Sequence, residues 1–310
     1  MQIFDSFKSS VNQSLDNFHG HKIVLKREDL IHPIVSGNKF RKLKYIFQKI
    51  KTEEVYTLLT FGGAFSNHLS ATAAAGKIRG VRTIGIVRGE EWQQKIFAST
   101  TLTYCASQGM ELHCVSRAIY DQKERAKVVE QMCNQIPTLR IIPEGGTEPL
   151  AIKGCQEILQ PEDADFEVIC SSVGTGGTLA GLINSSSESQ NIVGFNALKN
   201  TSIVKTIEKL TNKKNWTIEN GYTFGGFAKI NKSLISFMND FYNQYKIPLD
   251  PIYTGKLLFG IFELIKQDKW LWGKKILVIH TGGLQGVKGM NAQLQKKGNP
   301  QLLYGKNLPS

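Results

Sequence analysis

Short apolar runs alternate along this chain with stretches of helical spacing, the pattern of helices laid against sheets. Val55-Tyr56 with Leu58-Leu59, Val81 to Val87, Leu112 to Val115 and Arg140 to Pro143 read as strands of a smaller domain. Val168-Ile169-Cys170, Ile192 to Phe195 and Ile276 to His280 read as strands of a larger one. Glu144-Gly145-Gly146-Thr147 closes the smaller domain, and a helical segment from about Ala151 to Leu159 leads back. The expected division gives residues 1–48 and 155–310 to the larger domain and 49–154 to a smaller domain inserted in it. Each is an α/β unit, a twisted and mostly parallel sheet flanked by helices. No internal repeat is visible, and the tail after Gly298 is expected to be loosely ordered.

One helical stretch carries a chemical signal. From Lys39 to Ile50, about 100° per residue gathers Lys39, Phe40, Leu43, Ile46, Phe47 and Ile50 on one face and turns Arg41, Lys44 and Gln48 to the other. Ser36, Gly37 and Asn38 are helix-start residues, which puts Lys39 in the first turn. There the helix N-terminus and burial both oppose a positive charge. A lysine kept neutral is a nucleophile that forms Schiff bases with carbonyl groups. A lysine that lays its stem over apolar neighbours and keeps its ammonium wet fits the same spacing.

Two loops add to this. Ser171-Ser172-Val173-Gly174-Thr175-Gly176-Gly177-Thr178 joins the strand ending at Cys170 to a helix that begins with Leu179 and Ala180. Glycines in such a loop let N–H groups converge on an anion, the helix dipole favours negative charge, and Thr175 and Thr178 add hydroxyls. An ordinary strand-to-helix turn is the alternative. The dinucleotide pattern fails because Leu179 stands where a glycine is required, and no Gly-Lys pair is followed by the Ser or Thr of a nucleotide-binding loop. The second loop, Gly62-Gly63-Ala64-Phe65-Ser66-Asn67-His68, also follows a strand, where α/β proteins place ligands. Its Ser66, Asn67 and His68 could equally cap the next helix.

Taken in order, Lys26-Arg27-Glu28-Asp29-Leu30, Ser36-Gly37-Asn38-Lys39-Phe40-Arg41-Lys42-Leu43, Gly62 to His68, Val173 to Thr178 and Asp250-Pro251-Ile252-Tyr253-Thr254-Gly255-Lys256 resemble the 1-aminocyclopropane-1-carboxylate deaminase and D-cysteine desulfhydrase family. That family belongs to the fold-type II enzymes that use pyridoxal 5′-phosphate, with the tryptophan synthase β-subunit. The resemblance runs from about Lys26 to Gly283. It implies that Lys39 carries pyridoxal phosphate covalently, that Asn67 meets the phenolic oxygen, and that Gly174, Thr175, Gly176, Gly177 and Thr178 hold the phosphate. It also implies that Ser66 faces the substrate, that Tyr253 lies near the ring, and that Thr254 meets the pyridine nitrogen. A homodimer acting on a small amino acid is implied as well.

Composition is consistent with such an enzyme. With 310 residues, 41% of them hydrophobic, the chain exceeds the usual single-domain size. The formal net charge of +12 comes from dispersed lysines without interleaved aromatics, so a nucleic-acid partner is not expected. No apolar stretch is long enough to span a membrane, and Met1 to Ser6 lacks the order of a signal peptide, so a cytoplasmic protein is expected. Five cysteines without a Cys-x-x-Cys pair fit reduced thiols, and the six histidines lack zinc-ligand spacing.

The chemistry then turns on Thr254. A carboxylate beside the pyridine nitrogen would favour its protonation, and the deaminase branch is associated with a glutamate at this position; a hydroxyl does not stabilise that proton. The expectation is therefore α,β-elimination, as of D-cysteine to pyruvate, ammonia and sulfide. Ring-opening deamination and a non-catalytic carrier of the cofactor are the alternatives. Phe227 stands where the resemblance brings a second active-site tyrosine, and Tyr222 is either a core or loop tyrosine or a substitute from a shifted position. Glu144 and Glu148 are carboxylates near a loop that could border the cleft.

Overall fold

Two parallel sheets meet across a cleft in the computed structural model, which describes residues 3–4 and 7–306. The strands are β1 (Asn12–Ser14), β2 (Lys22–Lys26), β3 (Thr57–Gly63), β4 (Arg82–Arg88), β5 (Glu111–Val115), β6 (Leu139–Ile142), β7 (Val168–Val173), β8 (Asn191–Asn196), β9 (Trp216–Glu219) and β10 (Lys275–Ile279). A four-stranded sheet runs β5-β4-β3-β6, and a six-stranded sheet runs β1-β2-β10-β7-β8-β9. Every pairing is parallel except β1 with β2. Helices cover both faces of such sheets, which is why the central strands are continuous apolar runs; all six residues of β7 are buried.

Strand order fixes where a ligand can enter. From β3 the small sheet proceeds through β4 and β5 on one side and reaches β6 on the other. From β7 the large sheet proceeds through β8 and β9 on one side and reaches β10 on the other. At each reversal the loops leave the carboxyl ends of the strands in opposite directions and open a crevice. The loops after β3 and β7 are the two glycine-rich loops.

The helix Gly37–Thr52 joins the sheets. Its Phe40, Leu43, Ile46, Phe47 and Ile50 pack with Leu58, Ala71, Ala75 and Ile142 of the small sheet's side. Its first turn abuts the end of β10: a Cβ on Gly37, at φ +63°, would lie 2.0 Å from the Thr281 carbonyl oxygen. Only glycine fits there.

The face expected to carry Arg41 outward is covered. Arg41 is 3% exposed and forms two 2.9 Å hydrogen bonds to Glu28, itself fully buried. Glu157 takes Lys44 at 2.6 Å and the Tyr45 hydroxyl. The helix Pro149–Gln156 lies so close that a Cβ on Gly154 would stand 1.9 Å from the Arg41 carbonyl oxygen. The run Lys26 to Asp29 thereby acquires a structural meaning, since Lys26 pairs with Asp163 at 2.6 Å and Arg27 with Asp29 at 2.7 Å.

The tail corrects an expectation. Leu302 and Tyr304 are 2% and 1% exposed, and the Tyr304 hydroxyl donates to the Leu249 carbonyl at 2.7 Å. Burial of an aromatic ring outweighs the looseness usual at a chain terminus. The last four residues, 307–310, lie outside the described residues, as do four of the six from Met1 to Ser6.

Removing Glu28 leaves a guanidinium buried without its carboxylate. Glu28→Ala should lower the unfolding free energy by about 3–5 kcal/mol in urea titrations followed by circular dichroism. A loss below about 1 kcal/mol, the worth of an exposed pair, would mean that the pair does not hold the helix.

Candidate active site

A cavity of about 390 Å3 lies between the sheets, lined by the ends of β3, β7 and β10 and by the first turn of the helix Gly37–Thr52. Its size is that of a small-ligand site, for which about 300–1,000 Å3 is usual. Lys39, Ser66, Asn67, Gly174, Thr175, Gly176, Thr178 and Tyr253 all line it. Gly177 and Thr254 do not appear on its wall.

Lys39 is half-buried, and burial drives its pKa well below 10.5, with the nearby charge of Lys42 pushing the same way. Its amine is accordingly shifted toward the neutral, nucleophilic form. Lys42 is the residue that the periodicity missed. One turn on from Lys39, it is 2% exposed, lines the cavity, and donates to the Gly145 carbonyl at 2.7 Å and to Thr147 Oγ1 at 3.4 Å. Neither lysine has a carboxylate partner among the described residues. Burial lowers the pKa of Lys42 as well.

The loop after β7 completes an anion site around Lys42. Gly176, at φ +87°, turns the chain into the helix Gly177–Ser185, and its conformation is one that a side chain resists. Asn38 Nδ2 donates to Thr178 Oγ1 at 2.9 Å, which leaves the Thr178 proton free to donate. Lys42 donates to Thr147, and Thr147 and Thr175 share a 2.6 Å hydrogen bond. If Thr147 gives its proton to Thr175, the Thr175 hydroxyl also points outward as a donor. Free hydroxyls, a helix N-terminus and an uncompensated buried ammonium suit a phosphate dianion.

Across the cavity, Ser66 caps the helix Asn67–Arg79 by accepting the Leu69 N–H at 3.2 Å, so capping and a cavity-facing hydroxyl are one feature. Asn67 Oδ1 accepts from Gln285 at 2.6 Å, which frees its Nδ2 as a donor. His68 is fixed in one tautomer. The Thr60 hydroxyl gives its only proton to the Ile142 carbonyl at 2.9 Å, so at 2.8 Å it accepts from His68 Nε2–H. Burial, then Lys39 and Lys42, hold the imidazole well below its ordinary pKa, and its Nδ1 is buried without a partner among the described residues.

Thr254 stands elsewhere than expected, whereas Tyr222 takes the place of a core tyrosine and not that of a substitute. Thr254 Oγ1 accepts the Asp250 N–H at 2.8 Å in the first turn of the helix Thr254–Lys266, while Thr281, at the end of β10, lines the cavity. A helix-start threonine satisfies backbone groups before it serves a ligand. Tyr222 packs between Phe195 and Phe259, at ring distances of 6.4 and 6.2 Å. Phe227 lines the cavity. Glu144 does too, and accepts from Tyr120 and Lys123, at 2.5 and 3.1 Å; Glu148 pairs with Arg140 at 3.2 Å. Among the described residues no group of acidic, histidine and cysteine side chains could hold a metal, the five cysteines are free, and no helix is long and apolar enough to cross a membrane.

Together these groups suit a ligand with a dianionic head and a carbonyl within reach of a neutral amine. At pH 7.5 an amine-acylating reagent should modify Lys39 before the surface lysines, read by peptide mapping. Lys42→Met removes the like charge, so Lys39's pKa should rise and its labelling rate fall by about tenfold per pKa unit restored. Equal labelling of Lys39 and surface lysines would refute the neutral amine.

Known proteins match this arrangement over most of the chain. A family model described as pyridoxal-phosphate dependent enzyme matches residues 12–282. A putative 1-aminocyclopropane-1-carboxylate deaminase of Pyrococcus horikoshii is 28% identical over 291 residues, covering 86% of each chain. A bifunctional D-cysteine desulfhydrase/1-aminocyclopropane-1-carboxylate deaminase of Arabidopsis thaliana is 26% identical, covering 87% of this chain and 74% of its own. The crystal structure of a homologue of 1-aminocyclopropane-1-carboxylate deaminase superposes with a TM-score of 0.79 at 26% identity, over 97% of this chain and 93% of the other. The matched span contains both glycine-rich loops, the helix bearing Lys39 and the end of β10, and the chain belongs to the pyridoxal-phosphate dependent enzymes, in the group of deaminase and desulfhydrase relatives.

Proposed function

We propose that the chain catalyses α,β-elimination on a small amino acid, with D-cysteine the best-supported substrate. The observation that carries this is the convergence on one cavity of a charge-depressed lysine, a cup for phosphate, and the hydroxyls of Ser66 and Tyr253. Lys42, Thr175, Thr178 and the N-terminus of the helix Gly177–Ser185 would hold the phosphate of pyridoxal phosphate, and Lys39 its aldehyde carbon. When bound, the cofactor supplies a conjugated ring that takes up the electron pair released at the substrate's α-carbon.

The chain's own residues do the rest. Lys39 Nζ, unprotonated, accepts the α-proton. Burial pushes the Tyr253 phenol well above its ordinary pKa, so it keeps its proton and can give it to a departing sulfur. The Ser66 hydroxyl, its lone pair engaged by Leu69, is free to donate to the substrate carboxylate. For D-cysteine the balance is pyruvate, ammonia and hydrogen sulfide, with water consumed.

Ring opening of 1-aminocyclopropane-1-carboxylate is the alternative, favoured by the names of the relatives. Against it stand Thr254, where a carboxylate would be associated with the deaminase branch, and Phe227, which brings no hydroxyl. Because Asp250 engages Thr254, we assign Thr281 as the hydroxyl facing the ring nitrogen. A homodimer and a cytoplasmic location are part of the same proposal.

Purified protein should release pyruvate and sulfide from D-cysteine or pyruvate from β-chloro-D-alanine, and little ammonia from 1-aminocyclopropane-1-carboxylate. Faster ring opening than desulfuration replaces the proposal with the alternative. Lys39→Ala should abolish turnover, and Lys42→Met should weaken cofactor binding by about 1.5–3 kcal/mol, the worth of a charge-assisted hydrogen bond, in titrations of the apo-protein. Unchanged affinity would remove Lys42 from the phosphate.

A further inference from the structure

Phe227 stands on the cavity wall with its ring edge-on to Tyr253, centroids 6.5 Å apart. It is 43% exposed, so little core packing of its own holds it there. The backbone that carries it is unusual. Phe224, Gly225, Gly226 and Ala228 have φ of +52°, +96°, +114° and +53°. Two of these are not glycine, and a run of left-handed residues persists only where the surroundings over-determine it.

Phe224 and Ala228 rest against the core, with the Phe224 ring edge-on to Phe259 at 5.1 Å, and one buried side chain binds the carbonyls of the turn itself. Lys256 rises from the first turn of the helix Thr254–Lys266, is 2% exposed, and donates to the carbonyls of Thr223 at 2.9 Å, Gly226 at 2.8 Å and Ala197 at 3.2 Å. All three ammonium protons are thus spent on backbone oxygens. Two belong to the strained turn just before Phe227. The third belongs to the loop after β8, which brings Leu198 and Asn200 to the same cavity. Tyr253 precedes the same helix three residues before Lys256, so a single buried cation ties together the tyrosine, the Phe227 turn and the loop after β8. Hydrogen bonds from a buried charged donor to carbonyls are strong enough to help hold such a turn.

We propose that Lys256 is a positioning residue whose ammonium fixes the Phe227 turn as one wall of the cavity, and that through this wall it sets which amino-acid side chains the site admits. The second half rests on the proposed amino-acid chemistry; the first does not. With the tyrosine edge and the phenyl ring forming one corner, that corner offers apolar contact to a thiol or chloro substituent and a single hydroxyl, from Tyr253.

Hydrogen exchange followed by mass spectrometry on the cofactor-loaded protein tests the first half. In Lys256→Met, peptides covering 221–229 should exchange at least about tenfold faster, while peptides of β7 and β10 keep their protection. Unchanged exchange in 221–229 overturns the proposal. Where Lys256→Met fails to fold, Lys256→Arg keeps the buried charge but forces a larger head among the same carbonyls, and the same peptides should lose protection; if they do not, the proposal falls. For the second half, Phe227→Ala should raise KM several-fold for the amino acid turned over while kcat changes little. Adding Lys256→Met to Phe227→Ala should then raise KM no further, since both act through one wall. A further rise in KM in the double variant would overturn the role in substrate selection. A protein that turns over no amino acid would defeat the functional proposal, leaving the exchange result to decide the role of Lys256.

Discussion

Two lysines, one helical turn apart, share a cavity wall on which neither is paired with a carboxylate among the described residues. Burial alone would make such a pair costly, and the charge of Lys42 raises the cost of a second one at Lys39. Lys42 meets that cost with carbonyl and hydroxyl oxygens, which bind an ammonium without neutralising it. At Lys39 it appears as a pKa driven well below the ordinary value. The imidazole of His68 next to them is neutral for the same reason. In the proposed reading, a phosphate beside Lys42 would supply the missing negative charge, and an aldehyde at Lys39 would use the amine that the positive field favours in its neutral form. The cofactor of the family is thus the solution to an electrostatic problem visible in the protein alone.

Holding that pair in place occupies much of the surrounding structure. The helix that carries both lysines is pressed on one side against the small sheet and tied on the other by Glu28 and Glu157. Its start is fixed on the end of β10 by a glycine that tolerates contact with a carbonyl oxygen. Because the same helix touches both sheets, any change in their relation would move the amines relative to the loop after β7. Buried ion pairs contribute little net stability over apolar packing, but breaking one is costly, so they serve here to fix one arrangement. Lys256 plays a comparable part on the opposite wall.

Which parts of this could be read from residues follows from how local each signal is. The strands were legible as apolar runs between glycine-rich turns, and Lys39 as the cation on a helical stripe, because both patterns repeat within a few residues. Ser66 and the loop from Gly174 to Thr178 were legible since the glycines and hydroxyls lie together in sequence. Lys42 was not, although it lies in the same helix, because its position at the stripe's edge gains meaning only from Gly145 and Thr147, more than a hundred residues away. Nor could spacing show that Thr254 would spend its hydroxyl on Asp250 while Thr281 came to the cavity wall.

The sequence by itself determined the α/β class, the loops at the ends of β3 and β7 and the likeness to a family that uses pyridoxal phosphate, since each depends on residues near one another along the chain. Tertiary structure alone decided the rest. It made Arg41 a buried ion-pair partner instead of a solvated side chain, docked the tail through Leu302 and Tyr304, and brought Phe227 to the cavity while leaving Tyr222 in the core. Each of those outcomes is a choice between water and a distant partner. Such a choice is settled by the partner's position in space, which the reversal of strand order in the two sheets creates and which no local pattern encodes.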